Sequence, residues 1–232
     1  MSWREFFNGE HSIYVSERHK LLHARIIARG MVALIDTPKA VVLDHGCGEA
    51  LHADAVASAC GGLYLCESAP ALRAQLSARF INRSHVTVIA PEALEIGIPD
   101  ASLDLVTLIS VAQYLSRDEL DEALHLWLGK LKPGGKVVIG DVIPPDVGMV
   151  TDTKALLSFA FTGGFLTAAV MGLIKTAFSD YRRLREKLGL TMFTAGEMES
   201  AIAKVGFAGV RQIDNIGHNA ARMTFVAMKP FH

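Results

Sequence analysis

The stretch Val41–Ala57, VVLDHGCGEALHADAVA, runs from an apolar β-branched segment into a glycine loop and then into a helical pattern. Gly46 and Gly48 have no Cβ, so the backbone of this loop can come close to a ligand. The stretch therefore predicts a binding loop between a strand and a helix. Its chemistry depends on the residues around it.

The composition narrows the class of protein. A chain of 232 residues suits one well-buried domain with room for an appended subdomain. The formal net charge is -1 and there is no long basic run, so a nucleic-acid partner is not expected. Three cysteines are too few for a disulfide framework, and charged residues in the first ten positions oppose a signal peptide. These features predict a cytoplasmic protein, and nothing in the sequence indicates its oligomeric state.

Strands and helices alternate after residue 40, which is typical of a parallel sheet. One or two helices precede the first strand, between Ser12 and Ile35. A turn is predicted at KPGG, residues 132–135, before the fifth strand. The predicted strands are AVVLDHG, GLYLCES, VTVIA, LDLVTLIS and KVVIGDV, followed by GVRQIDNI and MTFVAMK, which form a hairpin.

The glycine loop does not suit a phosphate-bearing ligand. The third glycine of a dinucleotide fingerprint is replaced by Leu51, and no Gly-Lys-Ser/Thr follows. Glu49 stands at the start of the next helix, where its carboxylate repels a phosphate. S-adenosylmethionine has an amino-acid end and no phosphate, so it meets no such repulsion. Glu67 closes the second strand about twenty residues after the loop, where a carboxylate can take ribose hydroxyls.

The order and spacing of these motifs resemble the class I S-adenosylmethionine-dependent methyltransferases over nearly the whole chain. LDHGCGEA is similar to the family's D-x-G-x-G-x-G loop, with Ala50 in place of the last glycine. CES, PEALEIGIPDASLDLV, LKPGG and AGEMESAIAKVGFAGV resemble the family's later landmarks. The resemblance implies an α/β fold with a Rossmann-like, mostly parallel sheet of seven strands. The implied order is 3-2-1-4-5-7-6, with the last strand antiparallel, helices on both faces and a helical lid insertion.

The resemblance also implies the cofactor site. Glu67 is expected at the ribose and Glu92 at the adenine amino group. Asp44 either contacts the cofactor or orders the loop through backbone N–H groups. The expected cofactor-binding residues are Asp44, Gly46, Cys47, Gly48, Glu67, Ser68, Glu92, Ala93 and Ser110.

The acceptor is expected beyond the fourth strand, where the family places it. The loop NIGHNAAR, residues 215–222, should reach the same sheet edge because the sixth strand is also parallel. The segment 13–23, IYVSERHKLLH, resembles one that the family folds over its cofactor. A base is needed only for a protonated acceptor, and the candidates are His19 and His218. The expected substrate-binding residues are Tyr14, Gln113, Phe159, Tyr181 and Asn219. The histidines form no metal-ligand motif, so no metal is expected.

Residues 155–174, ALLSFAFTGGFLTAAVMGLI, contain no charged side chain and could cross a bilayer by length. One crossing would put strands of a single sheet on opposite sides, so no transmembrane span is predicted. Gly163 and Gly164 divide the run, which favours a helical hairpin that acts as a lid and encloses an apolar substrate between Asp152 and Tyr181. The basic residues in 182–187 are expected on a solvated helix face, and peripheral contact with acidic headgroups is the alternative.

We therefore expect one domain over residues 1–232. It would comprise a helical cap (1–39), a core (40–146 and 191–232) and a lid insertion (147–190). The predicted activity is S-adenosylmethionine-dependent methyl transfer to an O, N or C atom of a small lipophilic acceptor. The alternative is a non-catalytic S-adenosylmethionine-binding module that regulates a partner. A nicotinamide oxidoreductase is opposed by Leu51 and Glu49.

Overall fold

The computed structural model describes residue 5, residues 14–176 and residues 189–231. Its centre is a seven-stranded sheet of order β3-β2-β1-β4-β5-β7-β6. Every pair among the first five strands is parallel, and β7 pairs antiparallel with both β5 and β6. The predicted order is confirmed. The strands are β1 Val41–His45, β2 Gly62–Cys66, β3 Val86–Ile89, β4 Leu103–Ile109, β5 Leu131–Val142, β6 Ala208–Ile213 and β7 Met223–Met228.

Helices connect the strands, and several of them begin at a capping residue. Ser116 and Thr194 each form a capping box with the glutamate three residues later, which satisfies N–H groups that a helix start leaves unpaired. The described helices are α1 Glu17–Ala33, α2 Ala53–Ala59, α3 Pro70–Arg79, α4 Leu94–Gly97, α5 Arg117–Lys130, α6 Met149–Gly163, α7 Leu166–Thr176 and α8 Ala195–Val205. Short 3₁₀ turns lie at Pro91–Ala93 and Ala112–Tyr114.

The turn predicted at KPGG lies inside β5. Leu103 pairs with Leu131 and Leu105 pairs with Lys136, so a few residues of β5 bulge out between the two pairings. Gly134 has a φ of 79°, and its N–H donates to the carbonyl of Lys229 at 2.9 Å. The glycines therefore lie in a bulge within the strand instead of preceding it, and Lys229, directly after β7, bonds to the backbone of both.

The core lies on both faces of the sheet, because neighbouring residues of a strand point to opposite sides. Val42 and Val138 belong to a cluster that includes residues of α1 and α2. Leu43 and Val137 belong to a second cluster that contains Trp127 of α5 and Ile202 of α8. Helices on both faces leave the carboxyl ends of the parallel strands as the open edge of the fold.

The apolar segment forms two helices, as predicted. Helix α6 ends at Gly164, which has a φ of 72° that glycine adopts at little cost. The two helices pack on the start of α1 through Val15 and Leu22. Arg18 of α1 donates to the carbonyl of Gly163. Among the described residues, no helix combines the length and apolar character needed to cross a membrane.

Candidate active site

The glycine loop after β1 depends on backbone shapes that other residues rarely adopt. Gly46 and Gly48 have φ values of 76° and 57°. The N–H groups of Gly46 and Cys47 both donate to the carbonyl of Cys66, at 2.8 Å and 3.1 Å. A Cβ on Gly46 would stand 2.7 Å from a methyl group of Val111, whereas one on Gly48 would meet nothing within 4 Å. The loop is therefore packed tightly on one side and open on the other.

Glu67 holds this loop from the end of β2. Its carboxylate accepts from the N–H of Gly48 at 2.9 Å and from the N–H of Ala69 at 2.8 Å. Arg73 donates to the carbonyls of Glu67 and Ser68, both at 2.7 Å. Glu67 is buried and lines the cavity described below. The residue expected at the ribose thus also fixes the position of the loop.

Asp44 contacts the neighbouring strand. Its carboxyl group accepts from the hydroxyl of Thr107 on β4 at 3.0 Å. Burial raises the pKa of Asp44 to about 6, although the hydrogen bond from Thr107 acts in the opposite direction. Asp44 also lines the cavity, so cofactor contact remains compatible with this geometry.

One cavity of about 650 Å³ joins the glycine loop to the region after β4. At one end Ser68, Leu72 and Pro91 form its wall. At the other end its lining includes Tyr14, His23, Ser110, Val111, Tyr114 and Leu115. Cavities of this size suit a cofactor or a drug-sized molecule.

The part of the cavity wall that follows β3 contains a different residue from the ones expected from the sequence. Pro91 lines the cavity, whereas Glu92 and Ala93 are exposed on the 3₁₀ turn. The structure does not bring Glu92 and Ala93 to the cavity, because the turn directs them outward. The contact between Glu92 and the adenine stays a prediction.

Helix α1 covers the cavity and is bound to the glycine loop. Lys20 donates to the carboxylate of Glu49 at 2.9 Å, and a ring nitrogen of His52 lies 3.2 Å from the carbonyl of Leu21. Tyr14 lies before the helix, and burial together with the carboxylates of Glu49 and Asp141 raises its pKa to about 12. The phenol of Tyr14 therefore keeps its proton at neutral pH.

Three histidines meet beside the cavity. The Nδ1 atoms of His23 and His218 lie 3.1 Å apart, and the ring of His19 lies 5.6 Å from that of His218. His19 stacks on Phe165, and Phe159 stacks on His218. Burial lowers the pKa of all three histidines to about 4. The rings are consequently neutral at neutral pH.

A buried polar network lies below the histidines. The carboxylate of Asp141, at the end of β5, accepts from Ser110 and from Arg222, each at 2.8 Å. Arg222 also donates to Asp152 on α6 at 3.2 Å. Both Ser110 and Asp141 have positive φ values, 61° and 60°, which are rare for residues other than glycine. The network joins β4, β5, α6 and the β6–β7 loop.

The structure brings only one of the described residues expected to bind substrate into the cavity lining. Tyr14 lines the cavity. Gln113 is buried and donates to the carbonyl of Ser110 at 2.7 Å, and Asn219 donates to Asp152 at 2.8 Å, so both support the wall from behind. Phe159 packs on the histidine rings outside the cavity. Tyr181 lies outside the described residues.

The helical hairpin of α6 and α7 does not line the cavity with its described residues. Phe165 and Ala160 point inward against α1. The other side of the hairpin is exposed, with Phe161 75% accessible. Its exposed apolar residues also include Leu166, Val170, Met171 and Ile174. The expectation that this segment encloses a substrate therefore finds no support in these contacts, because α1 stands between the hairpin and the cavity.

The fold and cavity define a Rossmann-like nucleoside-binding enzyme of the methyltransferase kind. Residues 43–139 match the family model described as a methyltransferase domain. Glycines at the loop and a carboxylate at the second strand end fit S-adenosylmethionine. The match to a methyltransferase domain, together with the geometry of the loop, supports S-adenosylmethionine as the cofactor.

Solved structures share the fold at low identity. A putative methyltransferase of Haloferax volcanii, in complex with its Trm112 activator, is 14% identical with a TM-score of 0.63, and 99% of each chain is covered. A putative O-methyltransferase of Nostoc punctiforme is 23% identical (TM-score 0.56), with 89% of this chain and 55% of that chain covered. A phosphoethanolamine N-methyltransferase of Haemonchus contortus, bound to S-adenosylhomocysteine, is 16% identical (TM-score 0.59), with 88% and 52% covered. A search of curated proteins finds no match.

Replacing Glu67 should weaken S-adenosylmethionine binding. Glu67→Ala loses charge-assisted hydrogen bonds worth ~1.5–3 kcal/mol, so the affinity should fall roughly tenfold to a hundredfold. Glu67→Gln should bind better than Glu67→Ala, because an amide oxygen can still accept from Gly48. Calorimetry with S-adenosylmethionine measures both, and NAD should not bind. Glu92→Ala in the same titration tests the adenine contact. An unchanged affinity in Glu67→Ala would remove Glu67 from the site.

The two loop glycines should differ in their tolerance of alanine. Gly48→Ala should cost about 1–2 kcal/mol of unfolding free energy, because only the left-handed backbone is strained. Gly46→Ala should cost a further ~1–3 kcal/mol, because its Cβ also meets Val111. Urea denaturation measures both losses. Equal losses of unfolding free energy in the two variants would show that the Val111 side chain moves aside without strain.

Acid should destabilise the protein through the histidine cluster. The rings have a pKa of about 4 in the fold and 6.5 as the reference value, so unfolding takes up protons between these pH values. Stability is therefore retained above pH 6.5 and falls as the pH drops towards 4, by about 1.4 kcal/mol per pH unit for each ring. Asp44, whose pKa is raised to about 6, offsets part of this loss.

The variant His19→Phe isolates one ring. His19 Nε2 is buried without a partner among the described residues, so phenylalanine should preserve the stacking on Phe165 and remove one titrating group. The melting temperature of His19→Phe should fall less steeply with acid than that of the parent. His125→Gln, on an exposed face of α5, is the control. Parallel curves for the parent and His19→Phe would contradict the assigned neutral state.

Proposed function

We propose that this enzyme methylates a small acceptor with an apolar body, held between α1 and the segment that follows β4. The observation that carries the proposal is the continuous cavity from the glycine loop to Tyr14, Tyr114 and Leu115. The methyl group of bound S-adenosylmethionine is electrophilic because it is attached to a sulfonium. The protein then has to hold the acceptor in line with that methyl and keep water out.

The lining supports the two parts of this task. Glu67 and the N–H groups of the glycine loop suit the polar nucleoside and amino-acid parts of the cofactor. Val111, beside the glycine loop, and Leu115 offer apolar surface, and each side chain that the acceptor fully covers would contribute ~1.5–3 kcal/mol. Fixed alignment of the acceptor contributes several kcal/mol more to the rate, up to ~7–11 in the best intramolecular cases.

The roles of the remaining segments stay predictions from the sequence. The division into cap, core and lid stays a prediction, and residues of α1 line the cavity where the lid was expected. Peripheral contact of the basic residues in 182–187 with acidic lipid headgroups also stays a prediction, and these residues lie outside the described ones. A cytoplasmic location rests on the cysteine usage and the composition.

The acceptor can be identified by label transfer. The protein is incubated with S-adenosylmethionine carrying a deuterated methyl group and with metabolite fractions separated by hydrophobicity. We expect labelled product in the less polar fractions, detected by mass spectrometry. Label found only in small, highly charged metabolites would contradict the apolar acceptor.

Leu115→Trp is the matched variant. Tryptophan should fill the acceptor end of the cavity and abolish label transfer, while calorimetry gives an unchanged affinity for S-adenosylmethionine. Full transfer by Leu115→Trp would show that the acceptor binds elsewhere. Loss of cofactor affinity as well would show that Leu115 belongs to the cofactor end.

A further inference from the structure

Five histidines lie at or beside the cavity, and their contacts differ. His45, at the end of β1, accepts from the indole N–H of Trp127 through Nδ1 at 3.2 Å. Its Nε2 therefore carries the proton and cannot act as a base. The Nε2 of His52 faces the carbonyl of Leu21, so that nitrogen also carries a proton. Neither ring therefore presents an unprotonated nitrogen where a bound acceptor would release its proton.

The two bases expected from sequence do not line the cavity. His19 accepts from the N–H of Val15 through Nδ1 at 3.4 Å, and its Nε2 is buried. His218 uses its Nδ1 toward His23 and stacks on Phe159 with a centroid distance of 4.8 Å. Of the three clustered rings, His23 is the one in the cavity wall. With its Nδ1 facing His218, His23 has Nε2 on the opposite side of the ring.

We propose that His23 is the general base that takes the proton of an O–H acceptor, and that His218 shares the proton through the Nδ1–Nδ1 hydrogen bond. This inference rests on the proposed methyl transfer. In the resting pair, His23 Nδ1–H donates to the unprotonated Nδ1 of His218, and His218 carries its proton on Nε2. The lone pair then lies on Nε2 of His23, the nitrogen left available to an acceptor in the cavity that His23 lines.

The reaction balances with these groups. An oxygen lone pair of the acceptor bonds to the methyl carbon, the carbon–sulfur bond breaks and its electron pair stays on sulfur. The acceptor O–H becomes strongly acidic as the new bond forms, and its proton moves to Nε2 of His23. The positive charge passes from the sulfonium to the imidazolium, and the proton leaves to solvent with the product.

Burial keeps both rings neutral at rest, and two features of the surroundings reduce the cost of a transient charge on the pair. Protonation of His23 turns its bond to His218 into a charge-assisted one, which is roughly twice as strong as a neutral bond. The ionised groups that act on the pair are Asp141 at the end of β5, Arg222 from the β6–β7 loop and Asp152 on α6. Two carboxylates and one guanidinium leave a net negative charge beside the rings. The other neighbours are the neutral His19 of α1, Tyr14 and Phe159.

The tautomer of His23 tests the proposal without any acceptor. Two-bond ¹H–¹⁵N spectra of ¹⁵N-histidine protein with bound S-adenosylhomocysteine are assigned with His23→Gln and His218→Gln. We expect a neutral His23 with its proton on Nδ1 and an unprotonated Nε2 around neutral pH. A proton on Nε2, or a charged His23, would overturn the proposal.

Two phenols test the same proposal by activity. At about pH 8, 4-nitrophenol is largely ionised, whereas 4-methylphenol keeps its proton as tyrosine does. His23→Gln should lower kcat for 4-methylphenol by ~10²–10⁴-fold and for 4-nitrophenol by only a few-fold, because an ionised acceptor needs no base. His218→Gln should show a smaller loss with the same preference, and His125→Gln should match the parent. Equal losses for both phenols would make His23 a positioning residue only.

If the parent methylates neither phenol while label transfer succeeds, the spectra alone decide the role of His23. If label transfer also fails, the proposed acceptor class is wrong, and an Nδ1–H tautomer would still support a base in the cavity wall. The two failures are thus distinguishable.

Discussion

The guanidinium of Arg222 lies buried between the carboxylates of Asp141 and Asp152, and the arrangement of the open sheet edge depends on it. Buried charges are tolerated only when they are paired and hydrogen-bonded, so these three groups fix one another. Asp141 belongs to β5, Asp152 to α6 and Arg222 to the loop between β6 and β7. One cation therefore holds three segments in a single arrangement, and the loop that Arg222 anchors brings His218 to His23.

The cofactor end is organised by a carboxylate in a comparable way. Glu67 accepts from the backbone of the glycine loop and from the start of the next connection, so strand β2 sets the shape of a loop that follows β1. Helix α1 then closes over this loop through Lys20 and Glu49. Binding is thus supported by contacts between segments that are adjacent in the sheet and well separated along the chain.

Much of the fold could be predicted from the sequence, because strand patterns, capping residues and glycine turns act locally. The alternation of strands and helices, the hairpin break at Gly163–Gly164 and the position of Glu67 at a strand end followed from such patterns, whereas the strand order came from the family resemblance. The local patterns did not determine how distant segments pair. KPGG lies in a bulge of the pairing between β4 and β5, and Glu92 is exposed on the turn after β3, so its contact with the adenine stays a prediction.

The histidine cluster could not have been predicted from spacing, because His23 and His218 are 195 residues apart and meet only through α1 and the β6–β7 loop. The helical register of α1 places His19 and His23 on one face, but which ring reaches the cavity depends on the tilt of the helix. Likewise, Phe159 packs behind the rings because α1 lies between the hairpin and the cavity. Sequence indicated the residue types, and packing decided their roles.

Ser110 and Asp141 hold left-handed backbone conformations side by side at the ends of two central strands, without being glycine. Each conformation costs roughly 1–2 kcal/mol relative to an ordinary strand end, a sizeable share of the stability of a typical domain. Glycine at either position would relieve the strain but remove the Ser110–Asp141 hydrogen bond that fixes the edge. The most stable sequence for this backbone is therefore different from the one that best orders its cleft, and selection for thermal resistance alone would erode the site first at these two residues.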